Sequence, residues 1–163
     1  MKKNLFVLLM AVSGYAFAQT SEEDIVRKVA IDETDAYVRH DFQAWADCYI
    51  DAPTTSLMGT PNENPGGLMA STGFQKVAQG IKNWMKVSPQ SEMQVLKRDN
   101  WIIRVSGNMA WVTYDQQNLI VKPERKINSK ELKVLEKIDG RWKIAATSTV
   151  WDFKNADPLI PSK

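Results

Sequence analysis

Cysteine and histidine are almost missing from this chain: Cys48 and His40 are the only ones. A single cysteine excludes an internal disulfide, so packing alone must hold the fold. The same scarcity excludes a structural zinc site of Cys and His ligands. No D-x-D-x-D-G calcium loop occurs either, so no cofactor or metal is expected. Long apolar runs are absent beyond the first eighteen residues. MKKNLFVLLMAVSGYAFA carries Lys2 and Lys3, an apolar run from Leu5 to Val12 and Ala16-Phe17-Ala18 before Gln19. That is the pattern of a secretory signal with a small-residue cleavage site, too short to span a bilayer. Without Lys2 and Lys3 the chain keeps 19 of its 21 basic residues against 19 acidic ones. A nucleic-acid binder needs a basic excess or stripe, and none is present. Lys130, Lys133 and Lys137 alternate with Glu131 and Glu136, which reads as a solvated strand edge. The expected organisation is a signal at 1–18, one domain at 19–153 and a polar tail at 154–163, in a periplasmic or secreted protein that does not associate with a membrane once the signal is removed.

The strongest pattern lies near the end, in KELKVLEKIDGRWKIAATSTVWDF (130–153). Asp139-Gly140 is a two-residue hairpin turn, since both residues tolerate positive φ. The register then sets Ile138 against Arg141, Lys137 against Trp142, Glu136 against Lys143 and Leu135 against Ile144. Leu132, Val134, Ala145, Thr147 and Trp151 share one face; Leu135, Trp142, Ile144 and Val150 share the other. Neither face is simply polar, so helices should cover one and a partner subunit the other.

Upstream, Ser21-Glu22-Glu23-Asp24 has the form of a capping box opening a helix to His40. Ile25, Val29, Glu33 and Tyr37 recur at i,i+4 steps, which places Glu33 in the middle of an apolar stripe. Asp41 caps a short helix burying Phe42, Trp45 and Tyr49, ended by Asp51-Ala52-Pro53. Thr54 to Gly59 reads as a strand and TPNENPGG (60–67) as a surface loop. Thr72 and Gln75 propose a capping box for a third helix with Phe74, Val77, Ala78, Ile81, Trp84 and Met85 on its apolar face. VLKRDNWIIRV (95–105) and MAWVTYDQQNLIV (109–121) form a hairpin. Trp101, Ile103, Val105, Ala110, Val112, Tyr114 and Gln116 lie on its inner face, Ile102, Arg104, Trp111 and Thr113 on its outer face. This order is α+β.

AYVRHDFQAWADCY (36–49), GFQKVAQGIKNWMK (73–86), IIRVSGNMAWVTYDQ (102–116) and ELKVLEKIDGRWKI (131–144) together resemble the nuclear-transport-factor-2-like superfamily, in particular its bacterial SnoaL-like members. The resemblance implies a cystatin-like cone: three N-terminal helices packed in a strongly curved antiparallel sheet, with a pocket in the wide end. It also implies a homodimer through the outer sheet face. The superfamily's catalytic sets do not carry over. The isomerase base position falls near Leu57, the isomerase helix-one tyrosine position falls at Glu33, and the dehydratases' two pocket histidines meet a chain with one. Fold does not fix function.

Glu33 is the sharpest candidate for chemistry. A carboxylate on a buried helix face should have its pKa raised by desolvation, which suits a general base. The alternative is a carboxylate tied to Arg104, a tyrosine hydroxyl or backbone amides. Tyr37, Tyr49, Trp84, Trp101, Tyr114 and Gln116 are the candidate ligand-binding residues, hydrogen-bonding groups on an apolar wall. His40 reads as a helix-end cap, and Cys48 has no basic neighbour to activate it. The leading reading is an exported protein that binds a small, mostly apolar ligand without transforming it. The alternatives are a proton-transfer enzyme of isomerase, cyclase or dehydratase type with Glu33 as base, and a protein-interaction module.

Overall fold

The computed structural model describes residues 20–60, 69–88, 93–121 and 124–156. The signal segment, nearly all of the 60–67 loop and the end of the C-terminal tail lie outside them. Helix α1 (Glu22–Val38) begins at the N-cap Ser21, whose hydroxyl accepts the Asp24 amide at 3.1 Å. Acidic residues fill its first turn, where the helix dipole favours them. Helix α2 (Phe42–Asp47) is capped by Asp41, which accepts the Ala44 amide at 3.0 Å. It ends sooner than the Asp51-Ala52-Pro53 stop predicts, and the chain then runs beside the last strand through an isolated Tyr49–Ile144 bridge.

Two short strands follow, β1 (Ser56–Gly59) and β2 (Met69–Thr72), before α3 (Phe74–Val87). Strand β2 was not expected, and it changes the start of α3. Thr72 ends that strand, Gly73 takes the N-cap position at φ 90°, and no side chain caps the helix. Gln75 bonds instead to the Asp51 carboxylate. The third helix is therefore inserted after two strands rather than grouped with α1 and α2 at the N-terminus.

Four long strands complete the fold: β3 (Met93–Ser106), β4 (Met109–Val121), β5 (Glu124–Ile138) and β6 (Arg141–Trp151). The sheet is open and six-stranded, in the order β2-β1-β6-β5-β4-β3. It is mixed rather than wholly antiparallel, because β1 runs parallel to β6. Register shifts interrupt β3 at Val95/Lys97 and Asp99/Ile102, and the β5–β6 pair at Val134/Leu135. Such bulges sharpen twist and bend a strand, and α1 touches β3, β4 and β6 across the resulting concavity. Val26, Ala30, Trp45, Val112, Tyr114, Leu135 and Ile144 form the core between helices and sheet.

The hairpin at Asp139-Gly140 has the expected two-residue register, with φ of 49° and 76° at the turn. The bulge at Val134/Leu135 then overturns the expected faces further along: Lys133 pairs with Thr147, which is buried, and Val150 is exposed. Thr147 and Trp151 thus belong with Ile144 on the concave side. The β3–β4 hairpin pairs Val105 with Ala110 and Ile103 with Val112 as expected. Trp101 and Tyr114 meet by ring stacking at 4.1 Å beside a bulge rather than by ladder register.

Candidate functional site

Glu33 projects from the middle of α1 into a knot of donors drawn from α2, the segment after it, β5 and α1 itself. Trp45 Nε1 donates to Oε1 at 2.9 Å, and the Tyr49 hydroxyl donates to the same oxygen at 2.8 Å. Lys133 Nζ, from β5, donates to Oε2 at 2.7 Å. The Thr34 hydroxyl lies 3.1 Å from Oε2. A carboxylate has about four lone-pair sites; Trp45, Tyr49 and Lys133 fill three, and the single Thr34 proton is divided between Oε2 and the Ala30 carbonyl oxygen, 3.3 Å away. Lys133 also donates to Thr147 Oγ1 at 3.3 Å.

The ion pair is almost wholly buried, with side-chain exposures of 2% for Lys133 and 8% for Glu33. Burial alone would push the Glu33 carboxyl up, but the Lys133 charge and the bonds from Lys133, Tyr49 and Trp45 outweigh it and hold the group below the usual carboxylate range. The sequence-based expectation of a raised pKa is corrected by a partner it had not found. Burial would likewise lower Lys133, and the adjacent Glu33 carboxylate reverses that and raises it. The pair is therefore an ammonium and a carboxylate, not two neutral groups. Burial, then the Glu33 charge, pushes the hydroxyls of Tyr37 and Tyr49 upward, so both stay protonated.

The reading of Lys130, Lys133 and Lys137 beside Glu131 and Glu136 as a solvated edge is wrong for Glu131 and Lys133. Strand β5 is internal to the sheet, and Glu131 and Lys133 are 3% and 2% exposed on its concave side. Lys130 remains outside, paired with Asp115. Glu131 ends a directional chain of hydrogen bonds along the concave face. Arg98 Nε donates to Gln116 Oε1 at 2.9 Å, Gln116 Nε2 to Asn118 Oδ1 at 2.9 Å, and Asn118 Nδ2 to Ser129 Oγ at 3.4 Å. Ser129 Oγ then donates to Glu131 Oε1 at 2.8 Å, and Thr149 Oγ1 to Oε2 at 2.8 Å. Arg98 itself is paired with Asp35 at 2.5 Å.

These groups border a cavity of about 110 Å³. Glu33, Glu131, Lys133 and Gln116 form its polar side, while Leu57, Ile81, Met93 and Trp151 contribute apolar wall. At about 30 Å³ for a water's share of the liquid it has room for roughly three to four waters, so a molecule held there must be compact.

Of the residues singled out from sequence, Glu33, Tyr37 and Gln116 reach the cavity wall. Tyr37 stacks on Trp84 with ring centroids 4.3 Å apart. Trp84 also meets the edge of His40. Tyr49 lies behind Glu33 as its hydrogen-bond donor. Tyr114 is buried against Trp101 and within 3.4 Å of the Thr34 hydroxyl. Arg27 sits over the Trp101 ring at 5.5 Å. Arg104 is exposed on the convex face opposite Trp111 and plays no part in holding Glu33. Lys133, Glu131, Thr147 and Thr149 were missed as site residues. Trp45 was seen only as helix packing. Cys48 is half-buried, and burial together with the Glu33 and Asp32 charges pushes its thiol up to about 12. Among the described residues no group of three or more His, Cys, Asp or Glu side chains is arranged to hold a metal ion.

The architecture is shared by many solved structures. A putative scytalone dehydratase from Novosphingobium aromaticivorans superposes with a TM-score of 0.65 at 13% identity, covering 85% of this chain and 87% of that one. A nuclear-transport-factor-2-like protein of unknown function from Pseudomonas putida gives 0.64 at 12% identity, over 86% and 95%. A ketosteroid isomerase-like protein from Erwinia carotovora atroseptica gives 0.61 at 20% identity, over 82% and 98%. No family model matches the sequence, and no curated protein does. The likeness is one of fold: the chain has the nuclear-transport-factor-2-like, cystatin-like architecture.

Proposed function

We propose that the protein is an exported binder of a small, largely apolar ligand, held in the concave cavity and not transformed there. The observation that carries this reading is the saturation of Glu33. A general base needs a lone pair turned to the substrate and a pKa near the working pH. Glu33 has both oxygens held by Trp45, Tyr49 and Lys133, its remaining site faces the Thr34 hydroxyl, and its pKa is lowered. Such a carboxylate serves as a fixed floor that orients Lys133 and Trp45 under the ligand, with Tyr49 holding it from behind.

The enzyme alternative draws on the names of the fold neighbours, which include a putative dehydratase and an isomerase-like protein. It also draws on the two carboxylates at the cavity wall. Export rests on the N-terminal segment of residues 1–18. A homodimer through the convex sheet face is supported by exposed Ile102, Trp111, Leu132 and Val150.

Native mass spectrometry of protein purified from its own host tests the reading. A small adduct that survives gentle ionisation and leaves unchanged on denaturation is expected. Conversion of that compound on incubation with fresh protein would instead establish the enzyme.

A further inference from the structure

Three charged side chains reach the cavity wall among the described residues: Glu33, Lys133 and Glu131. Glu33 and Lys133 neutralise one another at 2.7 Å. The neighbouring cation Arg98 is already matched by Asp35. Glu131 is left with two hydroxyl donors, Ser129 and Thr149, one on each oxygen. That uses half of the acceptor capacity of a carboxylate that is 3% exposed. The Lys133 ammonium feels the Glu131 charge as well as that of Glu33, so two carboxylates share one cation and keep one negative charge in excess. A buried charge compensated only in part is costly, and a ligand supplying a cation gains from it.

We infer that the cavity takes a ligand with a primary ammonium group, which docks on Glu131 while its apolar body lies against Trp151, Leu57 and Met93. The inference rests on the ligand-binding reading and names the chemical class of that ligand. Geometry supports it twice over. The hydrogen-bond chain from Arg98 through Gln116, Asn118 and Ser129 is directed entirely toward Glu131, so it orients the carboxylate without neutralising it. Lys133, the one cation among the described residues of the cavity wall, turns two of its three N–H donors to Glu33 and Thr147, and an anionic ligand would have to compete with two carboxylates for it. The cavity volume of about 110 Å³ limits the body to something of phenyl size.

An isosteric series decides the matter. Phenethylamine, phenethyl alcohol and phenylacetate are titrated into the full mature chain at pH 7 by calorimetry, with thermal shift as a second readout. The amine is expected to bind at least tenfold more tightly than the alcohol, and phenylacetate most weakly. Glu131→Gln should collapse the amine-to-alcohol ratio to within about threefold. The wild-type comparison remains decisive should that variant fail to fold. Equal affinity for amine and alcohol, or tighter binding of phenylacetate, would overturn the ammonium inference and leave the ligand-binding reading standing. Retention of the full amine preference in Glu131→Gln would overturn the role given to Glu131. Absence of binding by all three compounds overturns the inference together with the reading beneath it.

Discussion

Lys133 Nζ lies 2.7 Å from Glu33 Oε2, joining the central strand β5 to helix α1 across a hundred residues of chain inside the cavity. Breaking a buried ion pair by removing one partner leaves an uncompensated charge and costs about 3–5 kcal/mol. Lys133→Met and Glu33→Gln should each lose stability on that order. The double variant Lys133→Met with Glu33→Gln should lose less than the sum of the two single losses, because neither charge is then left unpaired and the amide oxygen still accepts from Trp45 and Tyr49. Urea unfolding of the four proteins closes the cycle. Additive losses in the double variant would show that the two groups do not act as a pair.

The same pair fixes a pH signature. The Glu33 pKa is lowered from 4.5 in the folded protein, so its contribution is fully present above pH 4.5 and is lost as pH falls through the folded value. Lys133 is raised above 10.5, so the same interaction persists up to pH 10.5 and is lost only as pH rises through the higher folded value. Melting temperature should therefore be flat through neutrality and fall in acid. In Glu33→Gln the acid fall should be shallower, since one carboxylate that binds protons only on unfolding has been removed. An unchanged acid limb in that variant contradicts the assignment.

Tyr49→Phe removes the 2.8 Å bond to Glu33 Oε1 while keeping the ring against Trp45. Hydrogen bonds to charged groups contribute roughly 1.5–3 kcal/mol, and a loss of that size is expected in denaturant unfolding.

Gly59 faces the cavity where β1 meets β6, and a Cβ there would stand 2.8 Å from the Thr149 backbone oxygen. Backbone cannot step aside as a side-chain tip can. Gly59→Ala should cost about 1–3 kcal/mol by overpacking and loosen the β1–β6 pairing. Hydrogen exchange at Thr60 and Trp151, whose amides bond across this junction, reads the effect.

Cys48 should be nearly inert. With its thiol pushed up to about 12, the reactive thiolate is scarce at pH 8, and labelling by a disulfide reagent should be at least about a hundredfold slower than in the urea-unfolded chain. Comparable rates in the two states would show that the thiol is not perturbed.

Much of the architecture could be read from local rules. Asp139-Gly140 set a register that holds as far as the bulge at Leu135, and Ser21 and Asp41 capped the helices they preceded. What failed was long-range. No local pattern announces the bulge at Val134/Leu135, and one extra residue moved Thr147 and Trp151 to the opposite face. Lys133 and Glu131 looked like a solvated edge because charged residues dominate that stretch. Yet counting by twos back from Leu135, itself assigned beside Trp142 and Ile144, places both on the covered face. Strand parity outweighed residue type here, because a paired Lys and Glu can be buried where an isolated one cannot. Strand β2 escaped notice since MAST has neither alternation nor length to mark it.

The most direct test is the protonation of Glu33 itself, followed by its carboxyl carbon shift in a selectively labelled protein between pH 3 and pH 8. The ion-paired floor predicts an ionised carboxylate throughout neutral pH and a midpoint below 4.5. A midpoint near neutrality would contradict the account and return Glu33 to the role of a base.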